Sequence, residues 1–556
     1  MTGPVGQSSA DSPDESNLLS ATALMASGTL VSRLLGMVRL LAVIYLFTAT
    51  SHQAEIFNQS STIPSTAYLL IAGGVLNAIL VPLLIRSMNL DPDGGQAFSD
   101  RIVTLFLIMI SGVTVLLIAA VPLVMLIMTP SHWRSPDLAA QYHSMTILTA
   151  LCLPQVFFFG VFFLAGQILN ARGSFGPLMW APVFNNVIQI AVLGVYATVW
   201  RNIDTSQPFT TQQTLVLGLG STVAVVCQTA ILVPYLAKYG FRYHPRFDFL
   251  HQGLGRVAVM AKWALGIALV DQINVVIINK LSLIATAGEP GAGNTVLQTA
   301  VLISLVPHSL LTVSAATAIL PTLSAAAATK QWPKFTDRLH SSLRAILATI
   351  VPIAWLLVVT GVPIGRVIGV TRGGTYIGWT VVALSIGLVP LTLRFLVIKA
   401  FNSMENTRTP FVMEVIFVAV TCSTSILFIL LLKTPVGWIA PALGLAYSLG
   451  YVGAIAAGWV WLCRAVPGVK TRELAAHLLR TTIAATPGTA LAWCVCHVQN
   501  SHYPGFIPSL LCLIIAGIVA LASYYGCARL IKITEVRNMA DQLGSILLRN
   551  RRLPGR

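Results

Sequence analysis

Fourteen long apolar stretches joined by short polar connections leave this chain almost no soluble fold to adopt. They run over about 21–48, 56–86, 101–128, 140–169, 178–200, 211–237, 256–286, 294–327, 338–369, 375–400, 410–432, 437–463, 473–498 and 506–530. A helix of roughly 20 apolar residues covers the hydrocarbon core of a bilayer. It also satisfies its own backbone hydrogen bonds, which lipid cannot do. Composition agrees. The 556 residues are 56% hydrophobic and only 9% charged, with mean hydropathy +0.80, whereas soluble domains carry about 25% charged residues. The expected fold is all-α: a polytopic membrane protein with 14 transmembrane helices.

Charge then sets the orientation. A net charge of +16 would suggest nucleic acid in a soluble chain. Here most of it is explained by sorting Lys and Arg by side of the membrane, because cytoplasmic connections are enriched in both. With the N-terminus in the cytoplasm, five of the 34 fall outside (Arg134, Arg201, Arg366, Arg372, Lys433) and four in spans (Arg33, Arg39, Lys280, Arg394). The remaining 25 are cytoplasmic. No nucleic-acid partner is expected. The chain is placed in the inner (plasma) membrane, multi-pass, with both termini cytoplasmic. Residues 1–18, rich in Ser, Pro, Asp and Gly, read as a disordered tail rather than a signal peptide.

Short matches at a nearly constant offset reveal an internal repeat. Phe98-Ser99-Asp100-Arg101 recurs as Phe335-Thr336-Asp337-Arg338, an offset of 237. Ile79-Leu80-Val81-Pro82 matches Ala318-Ile319-Leu320-Pro321 at 239, and Val121-Pro122-Leu123 matches Val362-Pro363-Ile364 at 241. Spans 1–6 thus repeat as spans 7–12. Six is even, so the halves are parallel, and transporters built this way hold substrate between the repeats and work by alternating access. The expected divisions are a tail (1–18), an N-terminal lobe (19–240), a C-terminal lobe (241–466), an appended helix pair (467–532) and a basic cytoplasmic tail (533–556). The appended pair is a contact surface for a lipid tail or a partner.

Intramembrane charge carries the functional argument, since it is costly and normally faces a cavity or the bundle interior. In the first span Arg33, Gly36 and Arg39 advance in steps of three, which keeps them within about 120° of arc. Two guanidinium groups around a glycine suit an elongated anion such as a phosphate or pyrophosphate. The alternative is pairing with acids on neighbouring helices. Lys280 ends a polar stripe with Asp271, Gln272 and Asn274 in the seventh span. It offers a second cation from the other half, or snorkels outward. Arg394 pairs with a carboxylate or reaches the cytoplasm. Glu55 orients an arginine, takes up a proton or simply begins its helix; Asn58 and Asn77 line the same cavity. Asp271 is a candidate site for a coupling ion, Na⁺ or H⁺. No P-loop, His-x-x-x-His pair or Gly-x-Ser-x-Gly elbow is present, so no enzyme is expected. No cofactor is expected either, and Cys494-Val495-Cys496-His497 lacks the second ligand pair that a metal site needs.

Ser32-Arg33-Leu34-Leu35-Gly36-Met37-Val38-Arg39, Pro64 with Val81-Pro82, Ile168-Leu169-Asn170-Ala171-Arg172 before Pro177, and Ala181-Pro182 with Asn185 together resemble the MurJ (MviN) family of lipid II flippases. That family belongs to the multidrug/oligosaccharidyl-lipid/polysaccharide exporter superfamily. Asp91-Pro92-Asp93-Gly94-Gly95 and Trp180 to Asn186 look most like actinobacterial members. The resemblance implies fourteen helices in two lobes plus a pair. It also implies flipping of undecaprenyl-pyrophosphate-linked peptidoglycan precursor, lipid II, with membrane lipids and cell-wall synthesis and division proteins as further partners. Arg33 and Arg39 match the family's two first-helix arginines, and Glu55 stands where relatives carry aspartate. The eighth-helix Arg and Glu fall near Leu302 and Leu305, so that cation is absent here; Lys280 is the candidate substitute. Helix-eleven partners of a sodium-binding aspartate would fall at Thr421, Ser423 and Thr424, none of them acidic. Other readings are export of another polyprenyl-linked saccharide or of drugs, and a non-transporting scaffold of the cell-wall machinery.

Overall fold

A computed structural model describes residues 13–70, 87, 93, 95–174, 176–201, 203–248, 254–286, 291–369, 373–503 and 505–537. Among them there is no strand. The helices of the first half are α1 (Pro13–Phe47), α2 (His52–Tyr68), α3 (Gln96–Ala119), α4 (Val121–Met128), α5 (Ala139–Cys152), α6 (Gln155–Ala171), α7 (Gly176–Val199), α8 (Thr211–Ala230) and α9 (Leu232–Lys238). The second half contains α10 (Leu254–Leu283), α11 (Asn294–Pro307), α12 (Val313–Ala328), α13 (Trp332–Ile368), α14 (Gly374–Ile386), α15 (Leu388–Ser403), α16 (Arg408–Ile426) and α17 (Ile439–Ala465). The chain closes with α18 (Thr471–His502) and α19 (Phe506–Leu530).

Eleven helical stretches among the described residues are long and apolar enough to cross a membrane. The bent pair α14–α15 makes twelve. Of the other two expected spans, the second runs on from α2 into residues outside those described. The thirteenth is α18, a 32-residue helix whose middle is rich in Thr, Ala, Gly and Pro rather than Leu or Ile.

Breaks within spans follow from particular residues. α14 and α15 meet at 46° around Gly387, where an added Cβ would lie 2.5 Å from Ser448 Oγ. Pro307 removes a backbone donor at the end of α11, and a π-turn, His308–Thr312, follows. Close helix approach is built on small residues, as is usual where lipid supplies no hydrophobic drive between helices. α13 and α14 form a glycine seam, in which an added Cβ on Gly365 would lie 2.1 Å from Gly374 O. α18 and α19 pack on each other and on α13 through Ala492, Cys496, Cys512, Ala516 and Leu356. Exposed Ile507, Leu511, Ile518 and Leu521 give α19 an apolar outer face suited to lipid.

Apolar side chains gather into one core drawn mainly from the first half, one from the second, and a third between them. That third core sets Ile44 and Ala49, at the end of α1, against Ile278, Leu281 and Ala292. It lies at the distal end of the bundle, opposite the N-terminus. At the proximal end, the connection between the halves lies along the start of α3. Gln96 donates to Arg242 O at 2.7 Å, His244 N donates to Asp100 Oδ1 at 3.3 Å, and Arg246 N donates to Thr104 Oγ1 at 3.1 Å. Arg101 pairs with Asp248 at 2.5 Å.

Candidate functional site: two arginines between the helical halves

Arg33 and Arg39 lie six residues apart on α1, about 9 Å of helical rise. Their partners differ. Arg39 Nη1 donates to Gln189 Oε1 of α7 at 3.1 Å. Gln189 Nε2 donates to Asn185 Oδ1 at 2.6 Å, and Asn185 Nδ2 donates to Gln228 Oε1 of α8 at 2.5 Å. A run of amides thus ties Arg39 to the interior of the first half. Asn186 donates to Ser32 O at 3.0 Å. Gly36 faces the same side chain, since a Cβ there would sit 3.8 Å from Asn186 Oδ1. Arg33 points the other way. It is exposed, and its Nη1 donates to Ser309 Oγ on the π-turn of the second half.

Among the described residues neither arginine has a carboxylate partner; the ion pairs lie elsewhere. Both guanidinium groups instead bond neutral oxygens, which hold them in place without cancelling their charge. Two uncompensated cations within a membrane domain favour an anionic ligand. Among the described residues, pairing with neighbouring acids is not how these arginines are held.

The remaining candidates occupy other places. Glu55 is fully buried in the first turn of α2, with its Oε1 accepting from Thr295 N at 2.9 Å. It therefore caps α11 across the seam between the halves, where free N–H groups and the helix dipole favour an anion. Asn58 Nδ2 donates to Thr295 Oγ1 at 3.4 Å, and Asn294 Nδ2 donates to Gln59 Oε1 at 3.3 Å. Trp133 Nε1 donates to Leu283 O at 2.9 Å. Glu55 and Asn58 are thus parts of a distal closure. Asn77 lies outside the described residues. Lys280, in the last turn of α10, sits between Ile278 and Leu281, which pack against Ile44. That level is about 16 Å of helical rise beyond Arg33.

Asp271 belongs to a separate group in the second half. Arg394 of α15 forms an ion pair with Glu414 of α16, and its guanidinium lies 4.8 Å from the Phe417 ring centre. Asp271 interacts electrostatically with both members of the pair. Among the described residues no three His, Cys, Asp or Glu side chains gather as a metal site. Sequence reasoning passed over Glu414, although a lone acid in the run 410–432 met the rule used for the others. Nothing in the sequence singled out Ser309 or Gln189, whose partners are 276 and 150 residues away.

The family model for the lipid II flippase MurJ matches residues 43–513. The chain belongs to the MurJ lipid II flippase family. A probable lipid II flippase MurJ of Rhizobium meliloti (strain 1021) is 25% identical over 422 residues, covering 74% of this chain and 75% of its own. A second, of Vibrio cholerae, is 24% identical over 410 residues, covering 71% and 74%. Among solved structures, a lipid II flippase MurJ in an inward closed conformation matches with TM-score 0.70 and 16% identity, over 91% of this chain and 99% of that one. An inward-facing multidrug resistance MATE family transporter matches with TM-score 0.62 and 12% identity, over 81% and 98%. These two speak for a shared fold. The MurJ match begins at residue 43, past both arginines, so the case for Arg33 and Arg39 rests on their own geometry.

Proposed function

We propose that this chain flips lipid II from the cytoplasmic to the outer leaflet by alternating access. The observation that carries the site is the pair Arg33 and Arg39, held by neutral partners with their charge left for a ligand. The pyrophosphate would bind there, with the saccharide in the cleft between the halves and the lipid tail in the bilayer. On this reading both termini are cytoplasmic and the distal end, closed by Glu55, Asn58 and Thr295, faces outward. We also propose that Asp271, beside the Arg394–Glu414 pair, takes up the coupling ion. Two carboxylates against one guanidinium leave one negative charge, which suits Na⁺ or H⁺. The drive is that ion's gradient or the membrane potential.

The test is to deplete a host's own lipid II flippase, express this chain and measure lipid II reaching the outer leaflet. The wild type should rescue. Arg33→Ala and Arg39→Ala should each lower flipping by about 10- to 100-fold, as expected for losing a charge-assisted bond to phosphate. Absence of rescue by a membrane-inserted wild type would overturn the proposal.

A further inference from the structure

The second helix of each half leaves α geometry at the same place. α2 passes into π geometry at Leu69-Leu70 and α11 into the π-turn starting at His308, an offset of 239 that equals one of the sequence-repeat offsets. π-turns re-aim side chains and concentrate at functional sites. In the second half the turn is fastened on one side and presents a hydroxyl on the other. His308 Nδ1 lies 3.3 Å from Thr392 Oγ1, and Thr312 Oγ1 lies 3.4 Å from the same atom. Ser309 Oγ donates to Val306 O at 3.0 Å and accepts from Arg33 of the other half.

From this arrangement we infer that Ser309 is a positioning residue for the headgroup: it holds the Arg33 guanidinium in register across the two halves. The inference rests on the proposed lipid II site and deepens it. A long arginine side chain carries about 2 kcal/mol of rotamer entropy, so an exposed Arg33 without Ser309 would sample many directions. A hydroxyl is both acceptor and donor. With one N–H on Ser309 Oγ, whose own O–H is taken up by Val306 O, Arg33 is held in place and keeps its remaining N–H groups for a phosphate. The π-turn thereby gives the eighth span a part in orienting Arg33, where Leu302 and Leu305 supply no charge.

Titrating the purified full-length chain in nanodiscs with undecaprenyl pyrophosphate tests this. Ser309→Ala should raise Kd by roughly five- to tenfold, and Ser309→Thr, which keeps the hydroxyl, should stay within about twofold of wild type. In an Arg33→Lys background, where the fork that meets Ser309 is gone, Ser309→Ala should change Kd by less than about twofold. A merely structural role would lower thermal stability and give the same loss in either background. Wild-type affinity in Ser309→Ala, or equal losses in both backgrounds, would overturn the inference and leave the lipid II reading standing. No binding by the wild type would overturn both.

Discussion

Gly293 shows how much one hydrogen atom decides at this seam. A Cβ there would lie 2.7 Å from Glu55 Oε1, inside contact distance, so alanine must push the carboxylate off the α11 N-terminus. Losing such a cap costs about 0.5–2 kcal/mol. Gly293→Ala should therefore loosen the distal closure. A cysteine introduced at Gln59 should then react several-fold faster with a membrane-impermeant maleimide than the same cysteine beside Gly293. An unchanged rate would show that Glu55 does not hold the halves together. At this scale the sequence draws attention to particular residues and is silent about their partners. Arg33, Arg39 and Glu55 were identified because charge in an apolar run is costly. The atoms they bond sit 150–276 residues away, a distance no local pattern spans.

At the scale of elements, hydrophobic run length was enough to place nearly every span, because a bilayer dictates length directly. Bends and close crossings were harder to read. Gly387 and the Gly365–Gly374 seam are set by what lies on the facing helix, not by their own run. In the sequence the connection between the halves shows only a cytoplasmic loop carrying Lys238, Arg242, Arg246 and Arg256, yet residues 241–248 are bonded along α3. Asp248 anchors its end. The hydrogen bond from the Arg101 side chain holds the Asp248 carboxyl below its ordinary range. A depressed carboxylate stabilises the folded arrangement above its unfolded pKa, and that contribution is lost as pH falls through the folded value. Asp248→Asn at neutral pH should therefore mimic acidification of the wild type. A spin label at the exposed neighbour Phe247 should become more mobile in the variant, and in the wild type only on acidification below the usual carboxylate range. Equal mobility in the two proteins at neutral pH would mean the pair does not anchor the linker.

For the whole molecule, the repeat explains where the halves meet. Asn58 and Thr295 are 237 residues apart, and Glu55 and Thr295 are 240 apart, nearly the repeat offset itself. Each residue thus touches a position close to its own counterpart, as expected on the pseudo-twofold axis relating two parallel repeats. Rocking about that axis must break these bonds together, but among the described residues they are few: one charge-assisted cap, two long amide contacts and the Trp133–Leu283 bond. A total of a few kcal/mol is the range in which a ligand or ion shifts a two-state equilibrium. Alternating access requires the distal end to open, so locking it should stop transport without unfolding the protein. The pair Asn58→Cys and Thr295→Cys is placed to do this, because the native side chains already touch at 3.4 Å. Copper phenanthroline should cross-link the double variant and abolish lipid II flipping, and a reductant should restore it, with each single variant unaffected by oxidant. Undiminished flipping by fully cross-linked protein would mean that substrate does not leave through the distal end, and the rocking mechanism would have to be abandoned.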